Sequence, residues 1–240
     1  MMTQKHIKTW FRKKLNMVDY IKLYLLELSN NSVKQYCNFF DSLSISRKIR
    51  VNSYIKQIDK KLSICSELLI KFALREISKE NYYDIHLYHN NFGAVCSNID
   101  NIYISLSHTN SIVVVAISIG KVGVDVEKID RFSEMTCSDV ENILNNKEKE
   151  ILIKEPSSYL FSLIWTRKEA FGKYNNKWLI QDLSLINTLA NKKSTFNTIC
   201  YKGYAISIYS DFSKKVEVVK VTEEDLLESF NLRWRSSWYE

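Results

Sequence analysis

The chain has 240 residues, 45% hydrophobic and 25% charged, with one proline, five glycines and a formal net charge of +7. That composition excludes collagenous, linker-rich and low-complexity organisation, and no apolar run approaches the roughly 20 residues that cross a bilayer. The basic balance suits an anionic partner (nucleic acid, a polyphosphate cofactor or an acidic protein) without choosing among them, and no zinc-finger or RNP-type motif singles out nucleic acid.

Residues 1–16 are basic and carry Trp10 and Phe11, but lack the apolar stretch and cleavage site of a secretory signal. Residues 1–17 therefore read as a flexible extension or a short helix. Residues 20–28 are apolar and aromatic enough for a strand, and 32–40 for a short helix capped by Ser32. Over 57–78, Ile58, Leu62, Cys65, Leu69, Phe72 and Leu74 recur at helical spacing while Lys60, Lys61, Lys71 and Arg75 stay charged, which predicts a long helix. A strand is expected over 82–88, followed by a turn at Asn90-Asn91-Phe92-Gly93. Ile102, Ile104 and Leu106 then alternate with Tyr103, Ser105 and Ser107, so that the two serines share one strand face. Residues 112–119 are nearly all apolar, as in a strand buried on both sides. The turn between these strands holds His108, Thr109 and Asn110.

Gly120-Lys121 marks a seam and divides the chain into halves of 1–120 and 121–240. Beyond it the pattern predicts a strand over 122–127 and helices over 138–145, 147–153 and 157–174. Strands follow over 183–189, 204–209 and 216–221, with a helix starting near Thr222. The fold class is α+β with mostly antiparallel strands, and no residue-level repeat relates the halves. The five cysteines (Cys37, Cys65, Cys96, Cys137 and Cys200) form no CxxC pair and read as reduced thiols of a cytoplasmic protein.

Two segments carry chemistry. In Val122-Gly123-Val124-Asp125-Val126-Glu127 the valines take one strand face and Gly123, Asp125 and Glu127 the other. Like charges side by side call for a cation or a basic group, although a solvent-facing edge beside Lys121 or Lys128 explains the pair equally. In Trp165-Thr166-Arg167-Lys168-Glu169-Ala170-Phe171-Gly172-Lys173, an inward stripe of Leu160, Leu163, Ile164, Phe171 and Tyr174 leaves Trp165, Glu169 and Lys173 in a separate i, i+4, i+8 row. Taken alone, Glu169 and Lys173 read as a surface pair worth roughly 0.3–0.5 kcal/mol. Taken together, three carboxylates and a lysine suit magnesium at a diphosphate, with the lysine stabilising a phosphate leaving group. Ser107 and His108 make a poor nucleophile–base pair, because neighbours on an extended chain diverge.

The order Ile104-Ser105-Leu106-Ser107-His108, then Val122 to Glu127, then Trp165 to Lys173 resembles the 4′-phosphopantetheinyl transferases of the surfactin-synthetase-activating type. Those have S-H, then G-[IV]-D-[IV]-E, then W-[ST]-x-K-E-A-x-x-K. The resemblance implies a monomer of two similar α+β halves with coenzyme A in the cleft between them. Asp125, Glu127 and Glu169 would hold Mg2+ at the coenzyme A diphosphate. Ser107 and His108 would contact the cofactor's phosphates, Lys173 its diphosphate, and Arg47 and Arg50 its nucleotide end. A serine of an acyl or peptidyl carrier protein would attack the phosphorus bearing the pantetheine arm, releasing 3′,5′-ADP, with Glu169 as base, Lys173 at the departing phosphate and Asp125 as the third catalytic residue. The carrier pathway stays open among peptide, polyketide and fatty-acid synthesis, with no nucleic acid or membrane partner expected.

Two steps depart from the family pattern. Leu62-Ser63-Ile64 stands where relatives have a basic residue in an R-S-L-like step, and Gly93-Ala94-Val95 replaces G-K-P. They motivate an alternative, a diverged homologue that binds carrier or nucleotide without transfer; nucleic-acid binding is a third reading, motivated by charge alone. Residues 128–137, with Ile129, Phe132 and Met135, offer either an apolar contact for the carrier or an ordinary anchored loop.

Overall fold

The computed structural model describes residues 20–30, 33–109, 111–176, 180–190, 195–211 and 215–231. The extension over 1–17, the Ser32 cap and Asn110 lie outside them. In chain order the regular elements are β1 (Tyr20–Glu27), α1 (Ile45–Ser53), α2 (Gln57–Ser78), β2 (Leu87–His89), β3 (Val95–Ser97), β4 (Tyr103–Thr109) and β5 (Ile112–Ser118). There follow β6 (Gly123–Lys128), α3 (Asn146–Lys154), α4 (Ser158–Asn175), β7 (Phe196–Tyr201), β8 (Tyr204–Tyr209), β9 (Lys215–Val221) and α5 (Glu223–Asn231). Short 3-10 turns occupy Val33–Ser42, Ile129–Phe132, Cys137–Ile143 and Ile180–Leu185.

The sheets run β4-β5-β1-β9, β2-β3 and β6-β8-β7. Their pairs are antiparallel except β1 with β9. Period-two alternation divides each central strand between two cores. Tyr24 and Leu26 of β1, with Val113, Val115 and Ile117 of β5, pack into the core that also takes Leu62, Cys65 and Leu69 of α2. Ile21, Leu23 and Leu25, with Ile112, Val114 and Ala116, face Val122, Val124 and Val126 and Ile206 and Ile208 of β8. The seven residues of β5 are all buried, which explains why that strand reads as a continuous apolar run. Beyond the second sheet lies α4, against β6 and β8. Helix, sheet, sheet and helix thus stack in that order, a mixed α/β architecture.

The sequence pattern does not mark α1, β3 or β7, and His108 and Thr109, expected in a turn, instead belong to β4 and pair with Val113 and Ile112 of β5; four expected elements also take another form. Of the strand expected over 82–88 only Leu87 and Tyr88 are extended, in β2: Tyr82 stacks on Phe230 with ring centroids 3.9 Å apart, Asp84 donates its N–H to the Asn81 carbonyl to close a turn, and Asn98 takes up the backbone of His86 and Asp84. The strand expected over 183–189 is replaced by the 3-10 turn Ile180–Leu185, because the buried Lys168 ammonium draws in the carbonyls of Leu183 and Ile186. The helix expected over 138–145 is a 3-10 turn fixed by a Thr136–Asp139 capping box. The segment expected to be helical over 32–40 is likewise 3-10, over Val33–Ser42.

Lys168 is the ammonium of a closed pair. It lies 2.8 Å from Glu148, and both side chains are almost fully buried; Glu148 also accepts the N–H and hydroxyl of Thr188, each at 2.7 Å. Replacing Lys168 by Met strands the Glu148 charge and is expected to destabilise the fold by about 3–5 kcal/mol. Adding Glu148→Gln should recover part of that loss, read from urea midpoints.

The last described strand and helix return to the first sheet and its core, where β9 joins β1 and Leu226 and Phe230 of α5 join the cluster around α2. A division at 120/121 therefore leaves β9 and α5 across the seam from the core they complete. Glu223 fixes the return by accepting from Lys61 at 2.9 Å, Gln35 at 2.7 Å, the Ser29 hydroxyl at 2.9 Å and the Tyr36 hydroxyl. Burial pushes its carboxyl up, but the hydrogen bonds from Tyr36, Lys61 and Ser29 outweigh that and hold it below the ordinary range. The stabilisation is therefore full above about pH 4.3, the unfolded value, and is lost as pH falls through the lower folded value. Glu223→Gln is expected to lower stability by about 3 kcal/mol at pH 7. The gap to the parent chain should narrow below pH 4 in urea titrations.

Candidate active site

The site begins with the two-residue period of β6. Val124 and Val126 point into the inter-sheet core, so Gly123, Asp125 and Glu127 turn toward α4. The helix lies close enough that a Cβ on Gly123 would stand 1.9 Å from the carbonyl oxygen of Ala170 and 2.8 Å from the Tyr174 nitrogen. α4 starts at Ser157, whose hydroxyl accepts from the Leu160 N–H at 3.2 Å. It ends at Asn176 in the left-handed region, φ 55°. Midway, Thr166 and Ser207 of β8 share a buried hydroxyl contact of 2.7 Å. These contacts fix where Glu169 and Lys173, one turn apart, meet the strand.

β4 completes the site from the other sheet. Ser105 accepts the Val124 N–H at 2.9 Å, and Ser107 on the same face donates to Asp125 Oδ1 at 2.7 Å. Lys173 Nζ reaches that same oxygen, also at 2.7 Å. Asp125 is 5% exposed, and its second oxygen, Oδ2, is buried without a hydrogen-bond partner. Glu127 is held by Arg131, whose guanidinium lies 5.8 Å from the ring centroids of both Phe132 and Trp165.

Electrostatics ties the three carboxylates together. Burial pushes the Glu169 carboxyl up and the Asp125 charge adds to this, with Lys173 opposing. Burial raises Glu127 as well; its bond to Arg131 counters the rise and Asp125 reinforces it. Each group therefore resists a second or third negative charge, as a site built around a cation does. As they stand, no three His, Cys, Asp or Glu side chains among the described residues form a metal-binding group; Lys173 and Arg131 pair with Asp125 and Glu127. Hard carboxylate oxygens, one of them buried without a partner, still fit a magnesium ion better than a softer metal.

A cavity of about 480 Å³ opens beside this cluster, lined by Ser107, His108, Glu169 and Lys173 together with Arg47, Arg50, His89 and the turn at 93–95. The expected phosphate-contacting residues thus share one space. Burial, then Lys173 and Arg47, hold the His108 imidazole below its ordinary range. Arg47 is itself buried, donating to Glu67 and to the Ser63 hydroxyl, both at 3.3 Å. Glu67 also accepts from the Ser44 hydroxyl at 2.8 Å. Leu62, where relatives have a basic residue, is part of the core, and Ala94 stands at the cavity wall.

Three participants escaped the sequence reading. Arg131 had a signal, its i, i+4 spacing from Glu127. His89 and Glu67 had none, because only the tertiary fold brings them to Arg47. Of the two readings of residues 128–137, Phe132 follows the anchored loop: its ring is 1% exposed and packs against Trp165, while Ile129 and Met135 are half-buried.

Comparison with known proteins agrees with this geometry. Residues 121–225, which include β6, α4 and the whole carboxylate cluster, match the 4′-phosphopantetheinyl transferase superfamily model. A relative in Aneurinibacillus migulanus, 4′-phosphopantetheinyl transferase gsp, is 27% identical over 214 residues, covering 88% of this chain and 83% of that protein. The motif order, its convergence on one cavity and these matches make the chain similar to the 4′-phosphopantetheinyl transferases, over residues 121–225 by the superfamily model and over most of its length by the relative.

Proposed function

We propose that this chain moves the 4′-phosphopantetheine arm of coenzyme A to a serine of an apo acyl or peptidyl carrier protein, with Mg2+ as cation and 3′,5′-ADP as product. The observation that carries the reading is the Asp125 carboxylate. One of its oxygens is shared by Ser107 and Lys173, the other is buried and unsatisfied, and Glu169 lines the cavity alongside. The two packed sheets support two halves with the substrate between them, divided near 120/121 except for β9 and α5, which return to the first sheet and its core. No helix among the described residues is long and apolar enough to cross a membrane; a cytoplasmic monomer is the form we infer.

Asp125, Glu127 and Glu169 would hold the cation, which would neutralise the coenzyme A diphosphate and polarise its P–O bonds. Arg131 is half exposed and free to leave Glu127 for this purpose. Ser107 and His108 orient phosphate oxygens from β4. Glu169, made more basic by burial, accepts the proton of the carrier serine as its oxygen bonds to the phosphorus that bears the pantetheine arm. The bond from that phosphorus to the bridging oxygen breaks, and Lys173 stabilises the charge that develops on the departing 3′,5′-ADP. The net charge of +7 speeds encounter with an acidic carrier.

The test is mass spectrometry of apo carriers incubated with the chain, coenzyme A and magnesium. The expected result is a gain of one phosphopantetheine per carrier, abolished by a chelator. A folded chain that leaves a broad panel of acyl and peptidyl carriers unmodified would sink the proposal. Tight coenzyme A binding without turnover would instead favour the non-catalytic homologue that Leu62 and Ala94 suggest.

A further inference from the structure

We propose that His89 completes, with Arg47 and Arg50, a phosphate-monoester subsite in the cavity, and that its imidazole makes occupancy of this subsite depend on pH near neutrality. The inference rests on coenzyme A lying in that cavity, in which case the monoester is the adenosine 3′-phosphate. All three side chains line the same space as Glu169 and Lys173. They nevertheless form a separate electrostatic cluster. The field at His89 comes from Arg47, Arg50 and Glu67, whereas that at Glu169 comes from Asp125, Lys173, Glu127 and Arg131. His108 feels Lys173 and both arginines and so stands between the two clusters. A ligand with a diphosphate at one end and a monoester at the other suits two charged clusters that line one cavity.

The subsite is organised from behind. Glu67 and Ser63 clamp Arg47, and Glu67 accepts from Ser44 as well, so its carboxylate is engaged rather than presented to an anion. The bidentate fork of a guanidinium suits phosphate oxygens. His89 is exposed on β2 and adds an N–H donor from the opposite element. The charged or titratable groups around it are Arg47 and Arg50 on α1, Glu67 on α2 and His108 on β4, with Asp41, Lys71 and His86 bordering the neighbouring hollow that His89 also lines. Burial, then the two arginines, hold the ring below its ordinary range. It is therefore largely neutral until a dianion arrives and favours its proton. The bound complex then has the higher imidazole pKa, so affinity is greatest at the lower pH and is lost as pH rises.

The experiment is calorimetric titration of the full chain with coenzyme A, 3′-dephospho-coenzyme A and inorganic phosphate at pH 6.5 and 8. The parent chain should prefer coenzyme A to its dephospho form, more strongly at pH 6.5. His89→Ala should shrink that preference about tenfold, leave affinity for the dephospho form unchanged and remove the pH dependence of the preference. His89→Lys should restore the preference without pH dependence. Inorganic phosphate should bind the parent more tightly than His89→Ala if the subsite recognises the bare monoester. Equal weakening of both coenzyme forms by His89→Ala, a pH-independent preference in the parent, or phosphate binding indifferent to His89 would each overturn the subsite. Failure of the parent to bind either coenzyme form would overturn it together with the function on which it rests.

Discussion

Asp125→Asn is expected to lower kcat/KM for carrier modification by about a thousandfold while leaving the fold intact. The amide keeps the shape of the carboxylate and can still accept the Ser107 hydroxyl, so the β4–β6 seam retains its contact. The substitution removes the charge that Lys173 pairs with and that raises Glu169 and Glu127. Without it the site loses a hard anionic ligand, and Lys173 is free to bind the diphosphate before the transition state forms. Lys173 keeps some exposure at the cavity wall, 13% of its side chain, so losing its partner should move the thermal midpoint by only a few degrees. The check pairs transfer rates over a magnesium titration with circular-dichroism melting. A variant that melts normally and still transfers at more than a tenth of the parent rate would remove Asp125 from the catalytic centre.

How much of this was legible depended on whether a residue's role lies within its own element. The i, i+2 spacing put Asp125 and Glu127 on one face of β6, the i, i+4 spacing put Glu169 beside Lys173, and the strand period put Ser105 and Ser107 together. All three relations hold in the structure. What stayed hidden were the partners chosen by packing. Lys173 pairs with Asp125 from another element, and Lys168, which reads as one more helix charge, is buried on Glu148. α1 was missed because Ile45 and Ile49 are exposed while Arg47 is buried, which inverts the polarity that marks an amphipathic helix. The strand expected over 183–189 was lost for a related reason: alternation reports which side chains are apolar, and cannot register a buried ammonium competing for the backbone carbonyls.

Gly123→Ala should have the second large effect, and its sign runs against the usual rule. A glycine at negative φ normally gains stability on becoming alanine, by roughly 0.4–1 kcal/mol, because the unfolded chain loses freedom. Here the new Cβ would overlap the Ala170 carbonyl at 1.9 Å and crowd the Tyr174 nitrogen at 2.8 Å. Both neighbours are backbone, so no side chain can swing aside, and α4 must withdraw from β6 by roughly 1 Å to restore ordinary contact. Overpacking of this kind is expected to destabilise by about 3 kcal/mol. The functional effect is separate from that loss. Ala170 sits next to Glu169 and one turn before Tyr174, so a retreating helix carries both Glu169 and Lys173 away from Asp125. A displacement of that size is expected to lower turnover by about a hundredfold. Val126→Ala provides the contrast, since it empties space in the inter-sheet core without touching the strand–helix spacing. It should lose comparable stability yet keep near-parental turnover per folded molecule. Equal turnover in the two variants at matched folded fraction would mean that the spacing of α4 from β6 sets stability alone.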